Sequence, residues 1–451
     1  MTSARSKQDE EARLPPVPKR RFRHRHTQQH ESVSMVGIGC SSFSPFFWTT
    51  EERHTLGGKT NCWTPETLKR SHPQVQEWIA AIHYAIGEAG ITLLDTAPWY
   101  GHGTSEIVVG WGLSELFHPP PAEEESESQQ QKKPVAVLRS DLIINTKVGR
   151  YEADPRFQFD FSYDKTMESV QRSLQRLQCE YIDVLQLHDP EFAPRLTVLL
   201  KDCIPAMIAC QKRGWCHSLG MTGYPLEVQH QILQASLEEF GENVWDQALT
   251  YGHFNLHDTT LLHAPLSICS SSSSLAPSSC FAAFCSSLSL NCLAAAPLSM
   301  GLLTPLGPPE WHPAPSSLKD ACCHAARLCY DASVDISQLA LLFALSEPSI
   351  PCTILGMKNV AQVQVVQQVA ARFHNNLKET LSQDQILEAI LTPNERKMLQ
   401  ALRDKENGPF AEVWKTGQFQ WNGVQQAWDF WEQLKESVHM EKWQTVKEET
   451  V

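Results

Sequence analysis

The chain has 451 residues, 38 of them basic and 51 acidic, for a formal charge of −13; that balance argues against nonspecific binding to nucleic acid or to an acidic membrane and favours a small-molecule partner. Its length exceeds the roughly 250 residues of a minimal (β/α) barrel, yet the alternation of strand and helix patterns never restarts, so one domain with insertions and tails is expected. The 14 cysteines include no Cys-x-x-Cys pair and sit beside apolar runs, as at Cys40, Cys179, Cys216 and Cys352, so core thiols in a reducing cytosol are expected rather than a disulfide scaffold.

In chain order, residues 1–32 are polar and charged, lack the apolar core of a secretory signal, and read as a disordered extension. The run Lys19-Arg-Arg-Phe-Arg-His-Arg-His26 reads as a solvated basic tail, with a nuclear signal or an anionic-surface contact as alternatives. Residues 33–40 read as the first barrel strand, followed by a loop rich in aromatic residues that includes Trp48. Over 73–88 the positions Val75, Trp78, Ile79, Ile82, Ala85 and Ile86 recur at helical spacing and predict a helix with one buried face. Strand-like runs follow at 91–94, 142–144 and 182–187, with a helix predicted over 161–177. Residues 118–134, rich in proline, acid and glutamine, cannot bury a core and read as a surface insertion.

Helices over 196–212 and 226–240 flank a strand at 218–221, and strands at 290–295 and 350–355 complete the βαβ rhythm. The serine-rich stretch 266–289 either frays or is held as a helix by Phe281, Phe284 and Leu288. Apolar residues over 281–303 are interrupted by Ser286, Ser287, Asn291 and Pro297, a poor membrane span, so a soluble protein is expected. Residues 376–451 are expected to form a helical extension, with Trp414, Trp421, Trp428, Trp431 and Trp443 covering the barrel exterior. The fold class expected is α/β, a (β/α)8 TIM barrel spanning 33–375.

Four residues follow strand-like runs and carry the chemistry: Asp95, Tyr100, Lys147 and His188. At strand ends they fall on the rim where such barrels keep their sites. Carbonyl reduction needs a proton donor, and a phenol with a reference pKa near ~10 needs a close cation to serve near neutrality; Lys147 is the expected cation. The cluster Cys322, Cys323, His324 and Cys329 lacks the spacing of a structural zinc site, and no metal is expected.

The stretches Gly90-Ile-Thr-Leu-Leu-Asp-Thr-Ala-Pro-Trp-Tyr-Gly, Thr146-Lys-Val-Gly-Arg-Tyr151, Tyr181-Ile-Asp-Val-Leu-Gln-Leu-His-Asp189, Gly220-Met-Thr-Gly-Tyr-Pro-Leu226 and Ala296-Pro-Leu-Ser-Met-Gly-Leu-Leu-Thr304 resemble the aldo-keto reductase family, and more narrowly its L-galactose dehydrogenase branch. The resemblance runs over about residues 33 to 370 and is much more specific than one short motif. It implies a nicotinamide dinucleotide extended over the barrel rim, with Gly37 and Gly39 allowing close approach and Ser299, Met300, Gly301 and Leu302 near the pyrophosphate. Gly356, Met357 and Lys358 would reach the adenosine end. Only Lys358 is basic there, so NAD is expected, with NADP as the alternative. Neither Gly37-Ile-Gly-Cys-Ser-Ser42 nor Gly101-His-Gly-Thr-Ser-Glu106 completes a Rossmann fingerprint.

The sequence departs from the family pattern in two places. Thr222-Gly223 stands where many relatives have Ser-Asn or Asp-Asn to grip the nicotinamide amide, and Val365-Val366 replaces an adenine-binding Glu-Asn. His253 is either a substrate contact or a structural loop histidine, and Trp48, Trp99 and Phe157 are either pocket walls or packing residues. The resemblance implies oxidation of an aldose such as L-galactose to a lactone, with Tyr100 moving the proton, Asp95 holding Lys147 and His188 orienting the hydroxyl. The alternatives are a general aldehyde or pyridoxal-type oxidoreductase and a nicotinamide-binding redox sensor.

Overall fold

The structure is a computed structural model that describes residues 14–23, 32–44, 64–118, 137–152, 154–264, 280–310, 312–376, 380–421 and 429. Its strands are β1 (Lys19–Arg21), β2 (Ser32–Ser34), β3 (Val36–Gly39), β4 (Leu93–Asp95), β5 (Ile143–Val148), β6 (Ile182–His188), β7 (Cys216–Gly223), β8 (Gln247–Tyr251), β9 (Asn291–Ala295) and β10 (Thr353–Gly356). The last eight pair in parallel and close on themselves, β10 joining β3 on one side and β9 on the other. This is the (β/α)8 barrel that the sequence leads one to expect.

Successive strand side chains point to opposite faces, and this parity divides the core in two. Leu93, Ile143, Val184, Leu249, Leu293, Cys352 and Ile354 pack together with Phe22 and Val33. Ile38, Leu94, Ile144, Leu185, Met221, Ala248 and Leu355 belong to the larger core under the helices. Two residues beyond Leu93, Ile143 and Val184, on the same inward face, come Asp95, Asn145 and Gln186. The barrel therefore has an apolar floor and a polar layer above it.

The helices are α1 (Pro73–Gly87), α2 (Thr104–Phe117), α3 (Tyr163–Leu177), α4 (Ile204–Lys212), α5 (Leu226–Phe240), α6 (Phe281–Ser287), α7 (Ser316–Asp331), α8 (Ile336–Leu345) and α9 (Val360–Ala371). Pro73 opens α1, where a missing N–H costs nothing, and His72 Nδ1 accepts from the Gln74 amide at 3.1 Å. The helix expected over 196–212 is interrupted by a π turn at Leu199–Cys203. Pro205 follows within α4 and has no N–H for the carbonyl four residues back, which loosens the ladder at that point. Phe281, Phe284 and Leu288 are buried and hold α6 as a helical face.

The N-terminal expectation needs correction. Residues 14–23 are placed, and β1 pairs antiparallel with β2. Arg20, read as part of a solvated basic tail, donates to the carbonyl oxygens of Leu345, Glu347 and Ile350 at 2.5–2.7 Å. Phe22, on the same face two residues on, plugs the barrel floor at 2% exposure, a burial worth about 1.5–3 kcal/mol. The strand expected over 33–40 is accordingly split between the hairpin and the barrel.

Beyond the barrel lie α10 (Gln383–Ile390), α11 (Pro393–Leu402) and α12 (Ala411–Thr416). Ser382 with Gln385 and Thr392 with Glu395 form reciprocal caps on the first two. Trp48, residues 119–136 with all but the first residue of the expected insertion 118–134, residues 265–279, Trp428, Trp431 and Trp443 lie outside the described residues. Among those described, no single helix is long and apolar enough to cross a membrane. On α7, Cys322 and Cys329 face the core while Cys323 and His324 face solvent.

Candidate active site

Asp95 ends β4, Lys147 is the fifth residue of β5 and His188 ends β6; all three have the inward parity of their strands. Tyr100 opens the short helical loop Tyr100–Gly103 between β4 and α2. That loop needs its glycines: Gly101 and Gly103 hold φ of +61° and +99°, and a Cβ on Gly103 would come within 2.6 Å of the Arg176 guanidinium.

The structure brings the four together. Lys147 Nζ lies 2.7 Å from Asp95 Oδ2 and donates at 2.7 Å to the Thr96 carbonyl. Gln186 Nε2 donates to the other Asp95 oxygen at 2.8 Å, and Gln247 Nε2 donates to Gln186 Oε1 at 3.2 Å. Lys147 Nζ stands 4.7 Å from the centre of the Tyr100 ring, and that ring meets His188 edge-on at 6.0 Å. Buried charges are tolerated only when paired and hydrogen-bonded, and this chain of amides meets that condition for Asp95.

The electrostatics correct one expectation. Burial, and after it the negative charges of Asp95 and Asp189, push the Tyr100 phenol well above its ordinary value. Burial likewise pulls His188 down to about 3, against the attraction of Asp189. The site therefore holds a neutral phenol beside a neutral imidazole.

A second group was missed by the sequence reading. Arg150, two residues after β5, pairs with Asp189 at 2.6 Å, and its guanidinium stacks over Trp99 at 4.0 Å and near Phe159 at 5.2 Å. Burial opposes ionisation of Asp189, yet neighbouring positive charge, with the Arg150 guanidinium 2.6 Å away, holds it below its usual range. Glu191 is buried beside them, and burial first and Asp189 second push it up to about 8. Burial, and after it the charge of Asp189, raises the phenol of Tyr251, inward on β8. Arg150 and Asp189 stood inside the matched stretches, and their signal was a strand-end pair of opposite charge on adjacent strands.

For a flat, extended ligand such as a dinucleotide, the seam between β3 and β10 fits. Gly39 and Gly356 are register partners at the strand ends, so no side chain stands there. Ser299, Met300 and Gly301 carry successive φ of +49°, +51° and +98°, in a tight turn whose Ser299 and Gly301 amides donate to the Ala296 and Leu298 carbonyls. Other expected contacts act from behind. A Cβ on Gly37 would meet Ile354 at 2.6 Å and Leu93 at 3.0 Å, so that glycine makes room for barrel packing. Ser299 Oγ bonds His257 at 2.9 Å, and Leu302 and Met357 are buried. Thr222 is buried, and a Cβ on Gly223 would come 2.8 Å from Glu191 Oε2. Lys358 is half-buried after β10.

The C-terminal segment reaches this rim. Trp421 stacks on Tyr224, directly after Gly223, with ring centres 4.6 Å apart, and Trp414 Nε1 donates to the His257 carbonyl at 2.7 Å. Both were expected on the barrel exterior; the turns after α11 and α12 carry them to the strand ends instead. His253 is buried with Nδ1 on Thr260 Oγ1 at 2.8 Å and Nε2 on the Tyr224 carbonyl, which makes it a loop-holding residue. Phe157 is 61% exposed.

Comparison with known proteins agrees with this geometry. The model of the Aldo/keto reductase family matches residues 62–382. The chain is 34% identical over 308 residues to L-galactose dehydrogenase of Arabidopsis thaliana, covering 67% of this chain and 81% of that protein. It is 29% identical over 267 residues to D-arabinose 1-dehydrogenase of Saccharomyces cerevisiae, covering 59% and 68%. An aldo-keto reductase from Bacillus halodurans, in its holo form, has the same fold at a TM-score of 0.52 and 20% identity, over 86% of this chain and 97% of that one.

Proposed function

The chain belongs to the aldo/keto reductase family, and from that premise we propose that it oxidises an aldose, L-galactose or a close relative, at the anomeric carbon to a lactone with NAD. The observation that carries the reading is the buried Lys147–Asp95 pair at 2.7 Å beneath Tyr100, with neutral His188 edge-on to the same ring. Two relatives named for this reaction class, an L-galactose dehydrogenase and a D-arabinose 1-dehydrogenase, support the choice of an aldose.

A bound nicotinamide dinucleotide supplies the hydride acceptor for such an oxidation. Gly39, Gly356, Met300 and Gly301 would line its path, and Lys358 would stand at its adenosine end. Tyr100 Oη would exchange the proton of the reacting hydroxyl, with Lys147 beside the ring and held in place by Asp95. His188 and the Arg150–Asp189 pair form a polar wall. His188 Nδ1 and Glu191 Oε2 are buried without a hydrogen-bond partner among the described residues, and such groups select hydroxyl-bearing substrates because an analogue lacking hydroxyls leaves them unpaired. Met357 is buried and offers no charge to a ribose phosphate, which supports NAD over NADP.

The test is catalytic efficiency with NAD and NADP across a panel of aldoses, pyridoxine and simple primary alcohols, with the product identified. A lactone formed fastest from an aldose with NAD is expected. Preference for pyridoxine or aliphatic alcohols would overturn the sugar assignment.

A further inference from the structure

The Arg150–Asp189 pair uses only half of its hydrogen-bonding capacity on itself. Arg150 Nη1 donates to Asp189 Oδ2 at 2.6 Å. Arg150 Nη2 and Asp189 Oδ1 bond no group among the described residues and, unlike the buried Arg150 Nε, stay accessible. The two side chains are 25% and 18% exposed. They stand beside the reacting groups, for Asp189 Oδ2 lies 3.6 Å from His188 Nε2, and the His188 ring meets that of Tyr100 edge-on. We propose that Arg150 Nη2 and Asp189 Oδ1 clamp two neighbouring hydroxyls of the substrate next to its reacting carbon, one hydroxyl oxygen accepting from the guanidinium and the other hydroxyl donating to the carboxylate.

A clamp discriminates only if it is held still. The backbone of Arg150 is fixed in a short antiparallel bridge with Phe159, flanked by the Tyr151 amide donating to the Gln158 carbonyl at 2.8 Å and the Asp160 amide donating to the Gly149 carbonyl at 3.1 Å. Its guanidinium lies over Trp99 at 4.0 Å and near Phe159 at 5.2 Å, and the Phe159 ring is itself stacked on Phe192 at 4.3 Å. Asp189 holds a left-handed φ of +47°, which an aspartate tolerates better than most residues. The Asp189 amide donates to the Thr222 carbonyl at 2.9 Å, and the Asp189 carbonyl accepts from Phe192 at 3.0 Å. A partly exposed ion pair adds little stability by itself; what the bridge and the rings secure is the direction of the two open atoms.

The clamp rests on the proposed polyhydroxy substrate and names the groups that read it. The reacting hydroxyl is not one of the two: its single proton goes to Tyr100 Oη, and the clamp takes hydroxyls beside it. Those hydroxyls are present in the alcohol and the carbonyl forms of a substrate alike, so the clamp serves both directions of the reaction. A substrate without them displaces water from the guanidinium and the carboxylate and offers nothing in return. Arg150 and Asp189 are thus specificity-determining residues.

The experiment compares propanal, lactaldehyde and glyceraldehyde, which carry no, one and two hydroxyls beside the carbonyl, as substrates for reduction by the full chain with NADH or NADPH. The kcat/KM for glyceraldehyde should exceed that for lactaldehyde by about ten- to a hundredfold, the worth of a hydrogen bond to a charged group. Arg150→Met should erase most of that ratio. Arg150→Lys, which keeps a cation opposite Asp189 but not the planar fork, should lose the larger part of it; it also decides the matter if Arg150→Met fails to fold. A merely structural pair would lower efficiency with all three aldehydes together and leave the ratio intact. That result, or equal efficiencies in the wild type, would overturn the clamp. Should no aldose give a lactone while the ratio and its loss in the variants are both observed, the proposed substrate fails and the clamp stands; lactone formation with a flat ratio would do the reverse.

Discussion

Lys147 and Asp95 form an ion pair 2.7 Å long in which the lysine side chain is 1% and the aspartate side chain 4% exposed. Breaking one half of such a pair is more costly than removing both, because it strands a charge away from water; the usual loss is about 3–5 kcal/mol. Lys147→Met should therefore abolish turnover and lower stability by that order, and the double variant with Asp95→Asn should regain most of the stability without regaining activity. Denaturant titration of both variants checks this, and equal stability of the single variant and the wild type would contradict it.

Tyr100→Phe removes only a hydroxyl, so the fold and NAD binding should persist while turnover falls by about 10² to 10⁴. Burial and Asp95 hold the wild-type phenol above its ordinary value. The base form needed for oxidation therefore becomes commoner as pH rises, and oxidation rates should climb from pH 7 towards 10 while reduction, which uses the protonated phenol, stays level. A pH-independent oxidation rate would argue against Tyr100 as the proton acceptor.

Stability should respond to acid through buried histidines. Burial pulls His188 down to about 3 and His257 and His312 down to about 4, from 6.5. Below pH 6.5 the unfolded chain takes up protons that the folded chain refuses until near pH 4, so stability falls as pH drops through that window. Glu191 acts with the opposite sign: pushed up to about 8 from 4.5, it keeps its proton when folded, and its contribution is lost as pH rises between those values. Thermal unfolding should show Tm falling from pH 7 to pH 5, and Glu191→Gln should gain more over the wild type at pH 8 than at pH 5. A gain independent of pH would refute the carboxyl's protonated state.

The barrel and the tetrad were legible because both depend on short-range pattern. Period-two strands placed Asp95, Lys147 and His188 on inward faces, and the helix over 226–240 is found at those bounds. What stayed illegible depends on contacts distant in sequence. Arg20 looked like a solvated cation because its three carbonyl partners lie more than 300 residues away. Trp421 looked like exterior packing because nothing local ties it to Tyr224. Gly37 was read for its freedom, whereas its lack of a side chain serves Ile354 and Leu93 across the barrel. The rise of the Tyr100 phenol was illegible because residue types alone do not show how deeply the side chain is buried.

Trp421 gives a prediction of its own. Its stack on Tyr224 at 4.6 Å, with the Trp421 amide donating to Tyr224 Oη at 3.2 Å, braces the segment after Gly223. Aromatic pairs of this kind contribute about 0.5–1.5 kcal/mol beyond burial. Trp421→Ala should raise KM for substrate or NAD by several-fold, with a smaller change in kcat and a Tm shift of a few degrees. Unchanged kinetics would show that the stack is only decoration on the rim.

The closing seam of the barrel sets a condition on biosynthesis. β3 pairs with β10, and Arg20 is anchored by carbonyls at 345–350, so the earliest barrel strand waits with one bare edge until some three hundred more residues have been made. An unpaired strand edge invites pairing with another chain. Nascent chains stalled before residue 356 are thus expected to need chaperone protection, and truncations that omit β10 should accumulate as aggregates rather than as smaller folded units.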